Sequence, residues 1–431
     1  MSMPRAVRHI NEVRILNSLF RHRTTTRAGL ARELGLTRST VGLLIAAMIK
    51  QRLVTETEVS GATPSGRSGR PGQVVQLNAL HSAFVGADIG VGHMSVVAID
   101  LLGRVAETRT VAYEPASGDV KTRIAALAAL VRRVIKRLPR GQLVQGICVT
   151  VPGLVDRDGV VLRAPVLGWN SVPVQGLLGA RLKWSGTLAS ENDANAFAAA
   201  ELYGRSPAAS ADALFVYLDA GVGGGMVAQG ELLRGHRGYA GEIGHIHLGE
   251  QGFDPLTVVQ GSFESYVGRE AVLARFRHHG GEGTRLEDLI EALAAHAPAA
   301  LQTISELGWW LGRGLASLIS TLDPERIVLG GPLAALYAYA EPEVLDSVKK
   351  HLVVPFALPT VEVSSLGLDA CAIGGAMMLH HALLSIDARI VYGGNDSGRD
   401  APVGDRVERR GVLTTNQVRA MKGLPGAQVE E

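Results

Sequence analysis

The chain has 431 residues, of which 46% are hydrophobic and 19% are charged. These values predict a protein of two or three domains with a sizeable core, and they argue against a disordered chain. The formal net charge is only +2, but residues 1–80 hold 12 Lys and Arg against 4 Asp and Glu, whereas the remainder holds 31 against 37. A basic first fifth on an acidic body predicts a polyanion-binding head joined to a separate globular module.

The two cysteines, Cys148 and Cys371, lie in apolar segments with no second ligand-type residue nearby. They predict a reduced, cytoplasmic protein without disulfides, in which both thiols are buried. The N-terminus lacks a long apolar segment, and no run of about 18 apolar residues is evident in the sequence. Secretion and a membrane span are therefore not expected.

Residues 1–80 predict a winged helix-turn-helix. His9–Phe20 carries apolar residues at helical spacing and predicts a first helix. Thr26 is placed to cap a second short helix that ends at Gly35, and Thr37 to cap a third. The stretches LVTETEV and VVQLN then predict two strands around a glycine-rich loop. This order of elements is typical of a helix-turn-helix followed by a wing.

Five side chains of this head are candidate DNA contacts. Arg38, Ser39 and Thr40 lie in the first turn of the third helix, where their donors can reach phosphates and base edges in a major groove. Arg67 and Arg70 lie in the wing, where they can enter a minor groove or contact the backbone. A winged helix that docks on protein through a solvated basic face is the alternative.

The head resembles the winged helix of the ROK family of transcriptional regulators. The segments LARELGLTRSTV and GRSGRPGQVVQLN carry this resemblance. It implies that the head binds operator double-stranded DNA and that the protein works as a dimer.

Two parts of the remaining sequence repeat the same pattern. Ala83–Val105 and Leu214–Leu233 each contain an apolar strand, a D-x-G-x-G turn beginning at Asp88 or Asp219, and a second apolar strand. Facing glycine-rich hairpins of this kind are typical of the actin-like, two-lobed kinase fold, in which nucleotide phosphates lie between the hairpins. Two unrelated hairpins remain the alternative.

Polar residues cluster in three further segments. In SENDANAF, Asn192 and Asp193 follow an apolar strand and precede an alanine-rich helix, which indicates either a ligand site or a helix cap. In YAGEIGHIH, Glu242 and His245 are three residues apart, so they either face one polar ligand or form a core pair. Glu264 adds an acid at the start of a predicted helix.

The body also resembles the ROK family, over residues 10–385 together with the head. VPGLVD, APVLGW, ENDANAFAAAE, AGEIGH, DPERIVLGGPL and LDACAIGGAM are similar to consecutive motifs of that family. The resemblance implies an α/β, two-lobed actin-like (ASKHA, ribonuclease-H-like) body after the winged helix-turn-helix of residues 1–80. It further implies a small lobe at 81–190, a large lobe at 191–385, and a flexible tail at 386–431. The family includes xylose-, N-acetylglucosamine- and glucose-responsive repressors, which implies a monosaccharide effector and a homodimer or homotetramer. The residues to which it assigns contacts with sugar hydroxyls are Asn192, Asp193, Glu242, His245 and Glu264.

Three departures from the kinases of that family argue against phosphoryl transfer. The first hairpin is DIGVGH where the kinases have DIGGTK, so a hydroxyl and a lysine are missing. The second has Asp219 in place of a glycine and Ala220 in place of the phosphate-binding threonine. An uncompensated carboxylate about 4 Å from a phosphate costs roughly 4 kcal/mol at an effective dielectric constant near 20. The zinc cysteines are replaced as well, and the four positions are Pro255, Thr257, Gly261 and Ser262.

The sequence therefore predicts a sugar-responsive transcriptional regulator, most simply a repressor, that is not an enzyme and needs no cofactor or metal. An ATP-dependent sugar kinase that carries a DNA-binding head is one alternative. A regulator that represses constitutively, having lost its ligand response, is another. The loop that carries the four replaced zinc positions is expected to be held by packing of Phe253, Leu256 and Phe263.

Overall fold

The computed structural model describes residues 4–58, 73–113, 119–156, 158–204, 212–253, 259–353 and 357–386. Arg67 and Arg70 of the predicted wing lie outside these ranges, as do Pro255, Leu256, Thr257 and the predicted tail beyond residue 386.

The head contains the three predicted helices and the two predicted strands, together with a third strand, Thr24–Thr26, that the sequence did not predict. Thr26 caps the second helix by accepting a hydrogen bond from the Gly29 amide at 3.0 Å, and Gly35 ends it with a φ of 65°. The buried face of the third helix consists of Val41, Leu44, Ile45 and Met48. The sheet order is β1-β3-β2. The elements are α1 (Arg5–His22), β1 (Thr24–Thr26), α2 (Arg27–Leu34), α3 (Arg38–Lys50), β2 (Val54–Glu58) and β3 (Gln73–Leu77).

The first part of the body is built on a five-stranded sheet of order β11-β7-β4-β5-β6. Strands β4 and β5 form an antiparallel hairpin, and β7 and β11 continue the sheet in parallel. Three short strands, β8 to β10, form a separate antiparallel sheet. The elements are β4 (Ser82–Ile89), β5 (His93–Asp100), β6 (Val105–Ala112), α4 (Val120–Arg137), β7 (Leu143–Val151), β8 (Leu154–Val155), β9 (Val161–Ala164), β10 (Trp169–Val172), α5 (Val174–Leu182) and β11 (Thr187–Asn192).

The second part repeats this design around a sheet of order β14-β13-β12-β15-β16. Strand β12 pairs antiparallel with β13 and parallel with β15, as β4 does with β5 and β7, so the predicted internal repeat is confirmed. The elements are α6 (Asp193–Gly204), β12 (Ala213–Leu218), β13 (Val222–Ala228), β14 (Glu231–Leu232), α7 (Phe263–Val267), α8 (Arg269–His278), α9 (Leu286–Ala294), α10 (Pro298–Leu322), β15 (Arg326–Gly330), α11 (Tyr337–His351), β16 (Thr360–Val363) and α12 (Ala370–Leu384).

Helix α12 packs on the sheet of the first part, although its sequence lies in the segment predicted as the large lobe. It also crosses α6 so closely that a Cβ at Gly374 would lie 1.7 Å from the carbonyl oxygen of Ala196. The segment Gly367–Leu384 has a mean hydropathy of 1.2 and is long enough to cross a membrane by length and composition alone. Because 67% of it is buried inside the body, it is a core helix of the fold.

The head rests on the far end of α12 through α1. The Asn17 side-chain amide donates a 2.8 Å hydrogen bond to the Leu384 carbonyl, and the Phe20 ring lies 4.9 Å from the ring of His380. The Arg23 guanidinium donates a 2.7 Å hydrogen bond to the Leu102 carbonyl. The head and the body therefore share one continuous apolar cluster.

Candidate functional site

A cavity of about 820 Å³ lies between the two glycine-rich hairpins. Its walls come from the ends of β11 and β12, the start of α6, the segment around residues 238–245, and α7. The five residues that the resemblance assigns to sugar contacts all line it: Asn192, Asp193, Glu242, His245 and Glu264. The fold thus brings together segments that are more than 70 positions apart in the sequence.

Asn192 and Asp193 occupy the junction of β11 and α6. The Asn192 side-chain oxygen accepts a 3.0 Å hydrogen bond from the Asn195 amide, and its NH₂ group donates to Asp193 Oδ1, also at 3.0 Å. Asn192 therefore caps the helix, as one of the two alternatives predicted, and it also lines the cavity. Burial, and then the charge of Asp88, raise the pKa of Asp193 well above its ordinary value.

Glu242, His245 and Glu264 converge on one wall of the cavity. His245 Nε2 lies 3.6 Å from Glu242 Oε2, and His245 Nδ1 lies 3.7 Å from Glu264 Oε1. The Glu242 and His245 side chains are 42% and 44% exposed, so they do not form a core pair. Because both distances exceed a hydrogen-bond length, neither carboxylate is joined to the His245 ring by a direct hydrogen bond. Burial raises the pKa of Glu242, opposed by His245.

The acids of the two hairpins are paired within the protein. Asp88 accepts a 2.6 Å hydrogen bond from the Thr150 hydroxyl and lies 3.5 Å from His93 Nε2. Asp219 forms an ion pair with Arg269, and its carbonyl accepts from the Arg269 amide at 2.9 Å. Arg269 therefore supplies a cation beside Asp219, so the repulsion described for an uncompensated carboxylate does not apply in full. Burial nevertheless raises the pKa of Asp219.

His93 occupies the position where kinases of the family carry the hairpin lysine. Burial lowers its pKa, but the neighbouring carboxylates of Asp88 and Asp219 outweigh this and raise the pKa overall. The imidazole folds back over its own turn, where a Cβ at Gly90 would lie 2.3 Å from the ring. This ring therefore occupies space beside the first hairpin.

Sequence reasoning missed several residues that shape the cavity. Glu191 accepts hydrogen bonds from the Asn195 NH₂ group and from Arg234 Nε, both at 3.1 Å, and so orients the start of α6. Arg163 and Tyr217 also line the cavity. Glu191 and Asn195 lie within the SENDANAF motif and could have been found there, whereas no spacing in the sequence connects Arg234 to Glu191.

Of the three residues expected to hold the loop that carries zinc in the family, Phe253 and Phe263 lie within the described ranges. The Phe263 side chain is fully buried, and the Arg275 guanidinium lies 4.5 Å from the centre of the Phe253 ring. In the described ranges, no group of three or more His, Cys, Asp or Glu side chains is placed to hold a metal ion.

The predicted DNA contacts of the head lie at the start of α3. Arg38 and Ser39 are exposed, and Thr40 is half-buried. The Thr37 hydroxyl lies 2.9 Å from the hydroxyls of both Ser39 and Thr40, so these two side chains also take part in capping the helix.

The fold and the cavity define a two-lobed, actin-like sugar-kinase architecture preceded by a helical head. The model of the ROK family matches residues 84–382, and the chain belongs to that family, as its sequence motifs predicted. The xylose repressor of Bacillus spizizenii (strain W23) is 26% identical over 384 residues, which cover 88% of this chain and 97% of that protein.

Two solved structures share the fold. A ROK family transcriptional regulator, described as a homolog of the E. coli MLC protein, is 24% identical and has a TM-score of 0.73 over 90% of this chain and 100% of its own. A ROK family glucokinase from Streptomyces griseus, solved with glucose and AMPPNP, is 26% identical with a TM-score of 0.61. It covers 68% of this chain and 98% of its own, so its match to this chain is shorter by about the size of the head.

Proposed function

We propose that this chain is a sugar-responsive, DNA-binding transcriptional repressor whose kinase-like body binds its effector without phosphorylating it. One observation carries the proposal. The polar residues suited to sugar hydroxyls line one cavity, while the acids of the phosphate hairpins are paired inside the protein. Similarity to xylose repressors over both head and body supports the same conclusion.

The effector we propose is a monosaccharide or a sugar derivative. Carboxylates accept hydrogen bonds from hydroxyls, and the Asn192 amide and the His245 ring can both donate and accept. A sugar hydroxyl that finds no partner on burial costs free energy, so a set of such groups in one cavity selects a ring with matching hydroxyls. Asp193, Glu242 and Glu264 are the acceptors we assign.

An ATP-dependent sugar kinase with a DNA-binding head is the second candidate, because kinases of known structure share the fold. The family resemblance also implies that Asp193 matches the general base that accepts the proton of the attacking sugar hydroxyl in those kinases. A kinase needs cationic and hydrogen-bonding groups directed at the phosphates. Here the Arg269 guanidinium is engaged by Asp219 and the His93 ring faces Asp88. These pairs favour a body that binds sugar and leaves ATP unbound.

A coupled ADP-release assay with a panel of hexoses, pentoses and amino sugars separates the two candidates. The repressor proposal expects turnover no higher than that of an Asp193→Asn variant. Robust turnover that this substitution abolishes would establish the kinase and refute the proposal.

We propose that α12 links the effector cavity to the head. Its first turn contains Cys371, which lies in the same buried cluster as Tyr217 on the cavity wall, and its last turn holds α1 through Leu384. A sugar that binds one arrangement of the lobes more tightly than the other shifts the population toward that arrangement. The positions of both ends of α12 shift with it. Operator affinity then changes with sugar concentration.

The head is proposed to bind operator double-stranded DNA, and the protein to act in the cytoplasm as a homodimer or homotetramer.

A thermal-shift screen with free sugars tests the effector site, because a ligand of the native state raises its melting temperature by mass action. A shift with one sugar, accompanied by a change in operator affinity, supports the proposal. Operator binding that no sugar changes would instead establish a constitutive repressor.

A further inference from the structure

Helix α3 exposes an apolar side chain at the centre of its outer face. Leu43 is 72% exposed, and it lies between exposed Ser39 one turn before it and exposed Ala46 one turn after it. This stripe ends at Lys50. The opposite face of the helix is the buried one described above, so this stripe is the surface that α3 presents to any partner.

The charges around this stripe favour nucleic acid as the partner. Arg38 and Lys50 stand exposed at the two ends of α3, and the helix contains no acidic residue. A helix of this charge is attracted to the phosphates on both sides of a major groove. An apolar patch meant for another protein has no need of cations at both ends.

Polar side chains that could recognise base edges are confined to the first turn of α3. The hydroxyls of Ser39 and Thr40 lie within hydrogen-bond distance of the Thr37 cap, which limits their freedom to reach bases. Beyond that turn, the outward positions are Gly42, Leu43 and Ala46. A Cβ at Gly42 would meet only the Arg27 guanidinium, at 3.9 Å, so the helix surface beside Leu43 is open to close approach.

We propose that Leu43 recognises the C5-methyl groups of thymine in the operator half-site. Thymine is the one base that presents an apolar group in the major groove, and apolar side chains recognise it there. The inference rests on the proposed DNA-binding function and extends it, because it names the chemistry of the bases that α3 recognises. The half-site contains thymines where the middle of α3 lies.

The experiment begins with the full-length protein and a pool of duplexes carrying a randomised central region. Selected sites are then resynthesised with deoxyuridine in place of each thymine in turn, which removes only the methyl group. Loss of one buried methyl group weakens binding by about fourfold. We expect this loss with the wild type at one or two positions in each half-site, and no loss at the same positions with Leu43→Ala.

Two variants serve as controls. Leu80→Ala removes another exposed leucine, outside α3, and keeps the full response to deoxyuridine. Lys50→Ala weakens binding to thymine and deoxyuridine duplexes by the same factor and lowers the salt dependence. Melting temperatures verify that Leu43→Ala is folded, as expected for so exposed a side chain.

The outcomes separate this inference from the function on which it rests. Sequence-specific binding in which Leu43→Ala and the wild type respond equally to deoxyuridine overturns the role of Leu43 and leaves the repressor proposal standing. A wild-type protein that selects no sequence and shows no salt-dependent affinity for DNA overturns both. A loss of affinity on deoxyuridine substitution that the wild type and Leu80→Ala show and Leu43→Ala does not show supports both.

Discussion

The contact between α1 and the end of α12 is the place where a sugar signal can be interrupted without touching either binding site. Replacing Asn17 and Phe20 together by alanine removes the hydrogen bond to the Leu384 carbonyl and the ring contact with His380. The core of the head, which includes Leu16 and Leu19, is left intact. We expect the double variant to bind operator and sugar while losing the dependence of one on the other.

The magnitude follows from the two lost interactions. One hydrogen bond contributes about 1 kcal/mol to stability. A fully buried Phe→Ala change costs about 3–5 kcal/mol, so about 2 kcal/mol is expected for the partly buried Phe20. Their sum of about 3 kcal/mol covers the usual range of allosteric coupling, about 1–3 kcal/mol or roughly 5- to 150-fold in affinity. The sugar-induced change in operator affinity is therefore expected to fall to about twofold or less.

Fluorescence anisotropy of a labelled operator, measured with and without saturating sugar, gives this change directly. Calorimetric titration of sugar into free and operator-bound protein gives the reciprocal change, which must match it. Arg8→Ala is the matched control, since Arg8 lies on the same helix and pairs only with Glu12 at 2.8 Å among its described contacts. If the double variant keeps the full sugar response, coupling does not pass through α1 and α12, and our reasoning is refuted.

Three further predictions concern the cavity and the head. Asp193→Asn removes the sugar-induced thermal shift but raises the melting temperature of the unliganded protein at neutral pH. The folded-state pKa of Asp193 is raised above its unfolded value, so the stability it contributes is present in full at low pH and is lost as the pH rises through the folded pKa. The gain from the variant should therefore grow with pH; a gain that shrinks with pH would contradict this. Arg269→Ala leaves Asp219 as an unpaired buried charge and should destabilise the fold by about 3–5 kcal/mol in denaturant unfolding, with partial recovery in an Arg269→Ala, Asp219→Ala double variant. Equal stabilities of the single and double variants would argue against this ion pair. Arg38→Ala should weaken operator binding and lower the slope of log affinity against log salt by about one, as a titration from low to high salt would measure.

Much of the fold could be predicted because local signals agree with the tertiary structure. Thr26, Gly35 and Thr37 mark the ends of α2 and α3 through capping and turn geometry, which depend on neighbouring residues alone. The two hairpins could be matched because each repeats the same strand and glycine pattern, and the structure gives each the same place in its sheet.

What could not be predicted depends on pairings between distant segments. Arg269 lies 50 residues after Asp219, and no periodicity connects them, so the sequence showed a carboxylate without its counterion. By contrast, the outward direction of Leu43 follows from helical spacing, because Val41, Leu44, Ile45 and Met48 form the buried face of α3. The packing of α12 on the first sheet required the whole topology.

The attachment of the head to α12 also has a consequence for synthesis. The partner of Asn17 is a carbonyl 367 residues further along the chain. At about 5–20 residues per second, a ribosome needs roughly 20–70 s to make that stretch. During this time the Asn17 and Phe20 side chains have no α12 to contact. A message that ends shortly before α12 therefore produces a head that lacks these two contacts and keeps the hydrogen bond from Arg23 to the Leu102 carbonyl.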